Sequence, residues 1–302
     1  MRLAPTFLAS SLLLLGVGCT NPLAVSEKAA TDILMSSGTG MILEETTAGL
    51  DNPFTTEDVT SVTVTTWDPA LIELTWKKIA QQETEASKTA RESAFNSPVG
   101  SGVPVPEVQY EEMTLEGTIR ADGGENGTHL EVPSVWEQGA IDLSGEGNSL
   151  LWLSRGQYES LVTTRHATVT IGGIDSLLAT LGSYYEQASG LVDKLQGNET
   201  SAPTEADVSS LTTLSADADW GSYELIYNGE KVEVQTITAE NTFAKFEILA
   251  NAENPLVLSV VPRPASWVTI ALETLHADAA LEGYEVTQIS PSSVDQPQPL
   301  VQ

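Results

Sequence analysis

From Val59 to Thr66 the chain alternates Val with Ser and Thr, a two-residue period that predicts a strand with one buried face. Directly behind it the period changes. Asp68-Pro69 joins a capping carboxylate to a proline suited to the first helical position. Ile72, Trp76, Ile79, Ala80, Ala86 and Ala90 then fall on one stripe of a helix, with Glu73 and Lys77 spaced four apart as an ion pair. Only a core or a partner would bury that stripe. Ser26 is expected to cap an earlier helix carrying Ala29, Ala30, Ile33 and Leu34, which Gly38-Thr39-Gly40 would end. The segment 19–96 therefore reads as mostly helical.

Ser97 to Pro106 holds three prolines and two glycines, so a linker and a domain boundary are expected at 97–106. Beyond it the pattern favours strands. Met113 to Ile119 and Thr128 to Ile141 are extended candidates on either side of an Asp122-Gly123-Gly124 turn, and Leu150 to Leu153 has strand length. Ser154-Arg155-Gly156-Gln157 matches a capping box and opens a short helix through Tyr158, Leu161 and Val162. Ala167 to Ile171 reads as a strand, and Ile174 to Leu195 as a long amphipathic helix. Tyr223, Leu225 and Tyr227 then alternate, Asn228-Gly229 supplies a type I′ turn, and Val232 and Val234 alternate on the return. Two more strands follow over Ala244, Phe246 and Ile248 and over Leu256 to Val261, joined through Asn254-Pro255. Ser266 begins a helix that Gly283 closes, and Tyr284 to Ile289 makes a last strand.

Consecutive hairpins mixed with helices, without βαβ alternation, predict an α+β fold. Its expected form is a mainly antiparallel sheet with packed amphipathic helices, preceded by the helical N-terminal segment. The expected division is 1–18 signal peptide, 19–96 helical segment, 97–106 linker, 107–289 α+β domain and 290–302 disordered tail.

The N-terminus has its own grammar. Arg2 gives a short positive start, Phe7 to Val17 is mostly Leu, Ala and Gly, and Gly16-Val17-Gly18-Cys19 closes the run. This segment resembles a bacterial lipoprotein signal, in which small residues precede a cysteine that is lipidated and becomes the mature N-terminus. It departs from that pattern at Gly16, where Leu is usual. The resemblance implies that Cys19 carries the lipid, palmitate included, and anchors the chain to a membrane. Thr20 and Asn21, in place of an Asp after the cysteine, imply sorting to the outer membrane, facing periplasm or exterior. An ordinary cleaved signal peptide is the other reading. Cys19 is the only cysteine in the chain, and lipidation accounts for it where a disulfide cannot.

Charge excludes some functions. Thirteen Lys and Arg stand against 42 Asp and Glu, giving a formal net charge of -29. The excess is spread along the chain, and such a surface repels phosphate backbones, so no nucleic-acid partner is expected. Dispersed acidity suits a saline habitat better than a dedicated cation-binding role.

Recognisable catalytic chemistry is absent from the sequence. His129, His166 and His276 have no second ligand at a metal spacing, and no further cysteine is present, so no metal or cofactor is expected. No Gly-x-Ser-x-Gly elbow, Ser-x-x-Lys box or phosphate-binding glycine loop occurs. Asp122-Gly123-Gly124-Glu125-Asn126-Gly127 could wrap calcium, but it lacks alternating acidic positions and a hairpin turn needs the same residues. Asp217 and Asp219 before Trp220 are a weaker pair. Trp76 and Trp220 fall on inward positions, Trp136, Trp152 and Trp267 are ambiguous, and core packing is the expected use of most. The function expected is therefore a non-enzymatic envelope lipoprotein that binds or scaffolds other envelope components. The alternatives are a hydrolase of envelope or extracellular polymers using a carboxylate site, and a salt-adapted structural protein without a small ligand.

Overall fold

The computed structural model describes residues 33–47, 59–68, 70–96, 104, 106–131, 138–145, 147–171, 212–242, 244–263 and 282–292. In chain order these form β1 (Gly40–Thr47), β2 (Val59–Asp68), β3 (Leu71–Glu83), α1 (Glu85–Phe95) and β4 (Tyr110–Ala121). Short elements follow: β5 (His129–Glu131), β6 (Gly139–Asp142), β7 (Asn148–Leu150), α2 (Arg155–Thr164), β8 (His166–Thr168) and β9 (Thr170–Ile171). The chain then gives β10 (Thr213–Ala216), β11 (Gly221–Tyr227), β12 (Glu230–Glu240), β13 (Ala244–Leu249), β14 (Val257–Pro262) and β15 (Glu282–Ser290).

β11 to β15 close a five-stranded barrel, and the other strands are added to it. Each consecutive pair from β11 to β15 is antiparallel, and β11 meets β15 in parallel through Ile226–Gln288 and Tyr227–Ile289. The β11–β12 turn has positive φ at both Asn228 (52°) and Gly229 (82°), the signature of type I′, which matches the strand twist. β15 is shared. One edge pairs with β1 along its whole length, while the other serves β14 at Tyr284 and Glu285 and then β11 at Gln288 and Ile289. At that fork the Tyr223 hydroxyl donates to the Val286 carbonyl at 3.2 Å. Beyond β1 the sheet runs on through β2, β3, β4 and β6.

One face of this long sheet is covered by a second layer. β5 pairs in parallel with β7 and β9, and α2 begins with a reciprocal capping box between Ser154 and Gln157. The buried core joins Val64, Leu74, Phe246 and Val260 of the sheet to Leu130, Leu151, Trp152 and Leu161 of the layer. Each such side chain contributes about 1.5–3 kcal/mol by leaving water. Trp152 also carries polar organisation: its indole N–H donates to Asn254 Oδ1 at 2.6 Å, and Asn251 and Asn254 both donate to the Ile33 carbonyl at 3.3 Å. The Trp67 ring lies tilted at 52° against Trp152, with centroids 4.8 Å apart.

This architecture corrects the α+β expectation. Strand makes up 59% of the described chain, and its two helices are short. The expected helical segment contains β1, β2 and β3, and Ile33 and Leu34 are not helical. The stripe read behind Asp68-Pro69 belongs mostly to β3, where Ile72, Leu74 and Trp76 are buried and Lys77 points outward. Two-residue alternation, not a helical stripe, was the operative pattern. Asp68 caps a hairpin turn by accepting from Ala70 N at 2.8 Å. Glu73 and Lys77 face the same side of a strand, and Lys77 pairs across to Glu116 at 3.2 Å. Helix starts only at Thr84, whose hydroxyl accepts from Ser87 N, so Ala86 and Ala90 alone of that stripe are helical. The stretch 97–106 lies between β3 and β4, which pair from Ile72–Ala121 to Glu83–Tyr110. Ser290 ends β15 and Ser292 is buried. The helices expected at 174–195 and after Ser266, Cys19 with the signal segment, His276, Trp136 and Trp267 lie outside the described residues.

Candidate functional site

Two places combine chemistry with exposure. The first is a polar row that crosses the barrel strands. Register aligns Thr238, Glu247, Ser259, Glu285 and Glu44 on β12, β13, β14, β15 and β1. Directly paired residues project from the same face of a sheet, so the five side chains share one side. On β11 and β12, Leu225 and Val234 are buried, whereas Glu224 and Glu233 of the opposite face are exposed.

Within the row, charge is handled unevenly. Glu247 is half-buried and well supported, accepting from Thr236 at 2.8 Å and Thr238 at 2.9 Å and pairing with Lys245 at 2.8 Å. The start of β11 presses on this cluster. A Cβ at Gly221 would fall 2.5 Å from Thr238 Oγ1 and 2.6 Å from Thr236 Oγ1, so only glycine fits there. Two positions along, Glu285 and Glu44 stand directly opposite each other, and no described residue hydrogen-bonds or ion-pairs with either carboxylate. Between Glu247 and Glu285 lies Ser259, 3% exposed. Tyr223 overlooks the row. Burial, reinforced by the negative charges of Glu285, Glu44 and Glu247, holds its phenol protonated far above the ordinary range.

The second place is an arm. β2 accompanies β3 only as far as the Thr60–Lys78 pair, so Ile79–Glu83 and Tyr110–Thr114 continue as a two-stranded ribbon among the described residues. α1 packs on its tip and buries only Ser87. Ser87 is the joint: its hydroxyl donates to Glu83 Oε1 at 2.9 Å and accepts from Gln109 N at 3.1 Å. Arg91 completes the joint, 3.2 Å from Glu83. Ile79 (62%), Tyr110 (61%) and Phe95 (73%) are left largely exposed, flanked by exposed Glu85, Glu92, Glu107, Glu111 and Glu112.

The residues singled out in the sequence are not brought together. His129 on β5 bonds the preceding Thr128, and His166 on β8 bonds Ser215 on the paired strand β10. Among the described residues no three His, Cys, Asp or Glu side chains converge on a metal-sized site. The Asp122–Gly127 turn is used structurally, since its Gly124 and Glu125 carbonyls accept from Arg155 N and Gly156 N at the start of α2. Those oxygens serve the helix end rather than calcium. Trp76 and Trp152 are core residues, Trp67 and Trp220 partly so. Glu44, Ser259 and Glu285 escape the sequence reading because 215 and 26 positions separate them, and only strand register unites them. No protein-family model, curated protein or solved structure matches the chain. Among the described residues no helix is long and apolar enough to cross a membrane.

Proposed function

We propose that this chain is a non-enzymatic envelope lipoprotein, tethered through a lipid on Cys19, that holds another envelope protein against its arm. The observation that carries the reading is the ribbon of β3 and β4 with α1. It exposes Ile79, Tyr110 and Phe95 on one arm, three of the five large hydrophobic side chains exposed among the described residues. The glutamates around them define the occupant: a protein surface with an apolar centre ringed by Lys and Arg, matched to a chain of net charge -29.

Two experiments test it in cells. A photo-crosslinking side chain at Phe95 should give one discrete adduct with a basic-faced envelope protein, and the same probe at exposed Glu233 on the barrel should not. Equal adducts from both positions, or none from Phe95, would overturn the arm as the docking surface. Cys19→Ser should abolish labelled-palmitate incorporation and release the chain from membranes. Unchanged fractionation would remove the anchor from the proposal.

A further inference from the structure

We infer that the partner docks by adding a strand to the open edge of β4, and that the added segment alternates Lys or Arg with apolar residues. The inference rests on the reading of the arm as the docking surface. β4 pairs with β3 along its whole length, but on its other side β6 joins only from Gly117. Among the described residues nothing pairs with 110–116 on that side. Two hydrogen bonds fix which backbone groups point there. The Gln109 carbonyl accepts from Thr84 N at 2.9 Å across the β3 ladder, and the Arg120 carbonyl accepts from Leu143 N at 2.8 Å on the β6 side. Backbone groups alternate sides along a strand, so odd-numbered residues of β4 bond to β3 and even-numbered ones face away. The N–H and C=O groups of Tyr110, Glu112 and Thr114 therefore form an unpaired row at the edge.

Such an edge is normally blunted by Lys, Pro, a bulge or a covering element. Residues 110–116 hold no Lys, Pro or Gly, and the β3–β4 register runs through twelve pairs without a shift, so no bulge turns the edge away. What the edge does carry is negative charge, since Glu111, Glu112 and Glu116 are exposed. Those carboxylates choose the occupant. A second copy would bring three glutamates from each chain onto one two-stranded ladder, where like charges opposite each other destabilise. A basic strand gains from the same residues, as Lys77 already does by pairing across the sheet with Glu116. Alternation sets the rest. Met113 and Leu115 are half-buried on the face opposite to Tyr110, Glu112 and Thr114. Positions lying against them favour apolar side chains, and those against Glu112 favour Lys or Arg. Main-chain bonds supply the affinity of such a docked strand, and the side-chain alternation supplies its specificity. β3 offers less, because its open stretch is only 79–83 and α1 follows directly from Thr84.

Amide hydrogen exchange of the full chain, resolved by NMR, tests it with a short peptide of alternating Lys and Val as the probe and one of alternating Glu and Val as its control. In the chain alone, Met113 and Leu115 should exchange slowly, and Glu112 and Thr114 fast. The Lys peptide at about 1 mM should slow Glu112 and Thr114 saturably and at least about tenfold, and the Glu peptide should not. Thr114→Pro removes an N–H that β3 does not use, a change that an edge strand tolerates, so it should unfold near wild type yet lose the protection at Glu112. In cells the same variant should cut the adduct from the Phe95 photoprobe at least about tenfold. A full adduct from Thr114→Pro would overturn strand addition and leave the arm as the docking surface, whereas no adduct from the wild-type arm would remove both. Equal protection by the two peptides, or none from the Lys peptide, would overturn the basic occupant. Protection in the chain alone that grows with its concentration would overturn it too, by making a second copy the occupant.

Discussion

β3 passes through two environments within a few residues. At Trp76 it is the middle of a sheet, flanked by Val62 on β2 and Gly117 on β4, and its side chain is 2% exposed under the second layer. At Ile79, three positions on, the pairing with β2 among the described residues has stopped at Thr60–Lys78, and an equally apolar side chain is 62% exposed. Side-chain chemistry does not separate the two positions; the face does, since Trp76 projects with Ile72 and Leu74 into the covered side of the sheet and Ile79 with Lys77 from the open side. In the body, apolar groups gain burial from neighbours that are distant in sequence. In the arm, local hairpin bonds and one buried serine hold the backbone while the hydrophobic side chains stay in water. A region of the first kind should respond to mutation through stability, and one of the second kind through association.

The sharpest way to break that contrast is at Trp152. Trp152→Ala removes a fully buried ring, its contact with Trp67 and the donor to Asn254, and should cost about 3–5 kcal/mol, read as a lower urea midpoint at unchanged slope. Asn254→Ala leaves the ring in place but orphans both the indole N–H and one bond to the Ile33 carbonyl, so roughly 1–3 kcal/mol is expected in the same assay. If either variant unfolded like wild type, the second layer would not be the packed body that the contrast requires.

Alkaline pH probes the same body without mutation. Burial holds the Tyr158 phenol protonated up to about 12, against an ordinary value of 10.0. Unfolded chain loses that proton first, so stability is intact below pH 10 and declines as the pH climbs from 10 towards 12. Tyr223 and Tyr284 are raised in the same direction and steepen the loss. Tyr158→Phe has no proton to release and should flatten part of the alkaline limb in pH-dependent urea melts. An unchanged limb would mean that Tyr158 reaches water in the folded state.

Much of this body was legible in the sequence where one local signal settled the matter. Asn228-Gly229 between alternating residues gave the β11–β12 hairpin, and Ser154 with Gln157 gave α2. The failures have a common cause. Ile72, Trp76, Ile79 and Ala80 satisfy a helical stripe, but Ile72, Leu74 and Trp76 satisfy strand alternation as well, and Asp68-Pro69 serves a hairpin turn as readily as a helix cap. Only pairing with β2 and β4 decides between them, and those strands are assembled by contacts that no local window contains. β1 was hidden for a related reason. Met41 and Leu43 face the core while Ile42 and Glu44 face away, a short alternation that becomes a strand through β15, some 240 residues later. The Glu44, Ser259 and Glu285 row has no signature at all in one dimension, since register alone creates it.

The arm should give the smallest stability effects, and that is its test. Ile79→Ser and Phe95→Ser replace side chains that are already in water, so each should alter unfolding free energy by no more than about 0.5 kcal/mol. Ser87→Ala removes a buried hydroxyl that links Glu83 to Gln109 N, but the strands beneath keep their own ladder. Its expected signature is local: faster amide hydrogen exchange in α1, with protection in β13 and β14 unchanged. The two serine variants should at the same time lose the adduct formed from the arm, because the same groups that contribute little to folding supply the apolar centre of the interface. A loss of more than about 2 kcal/mol in Ile79→Ser would instead place the ribbon inside the cooperative body. The distinction between the two halves of β3 would then collapse, and with it the argument that the exposed tip is kept for a partner.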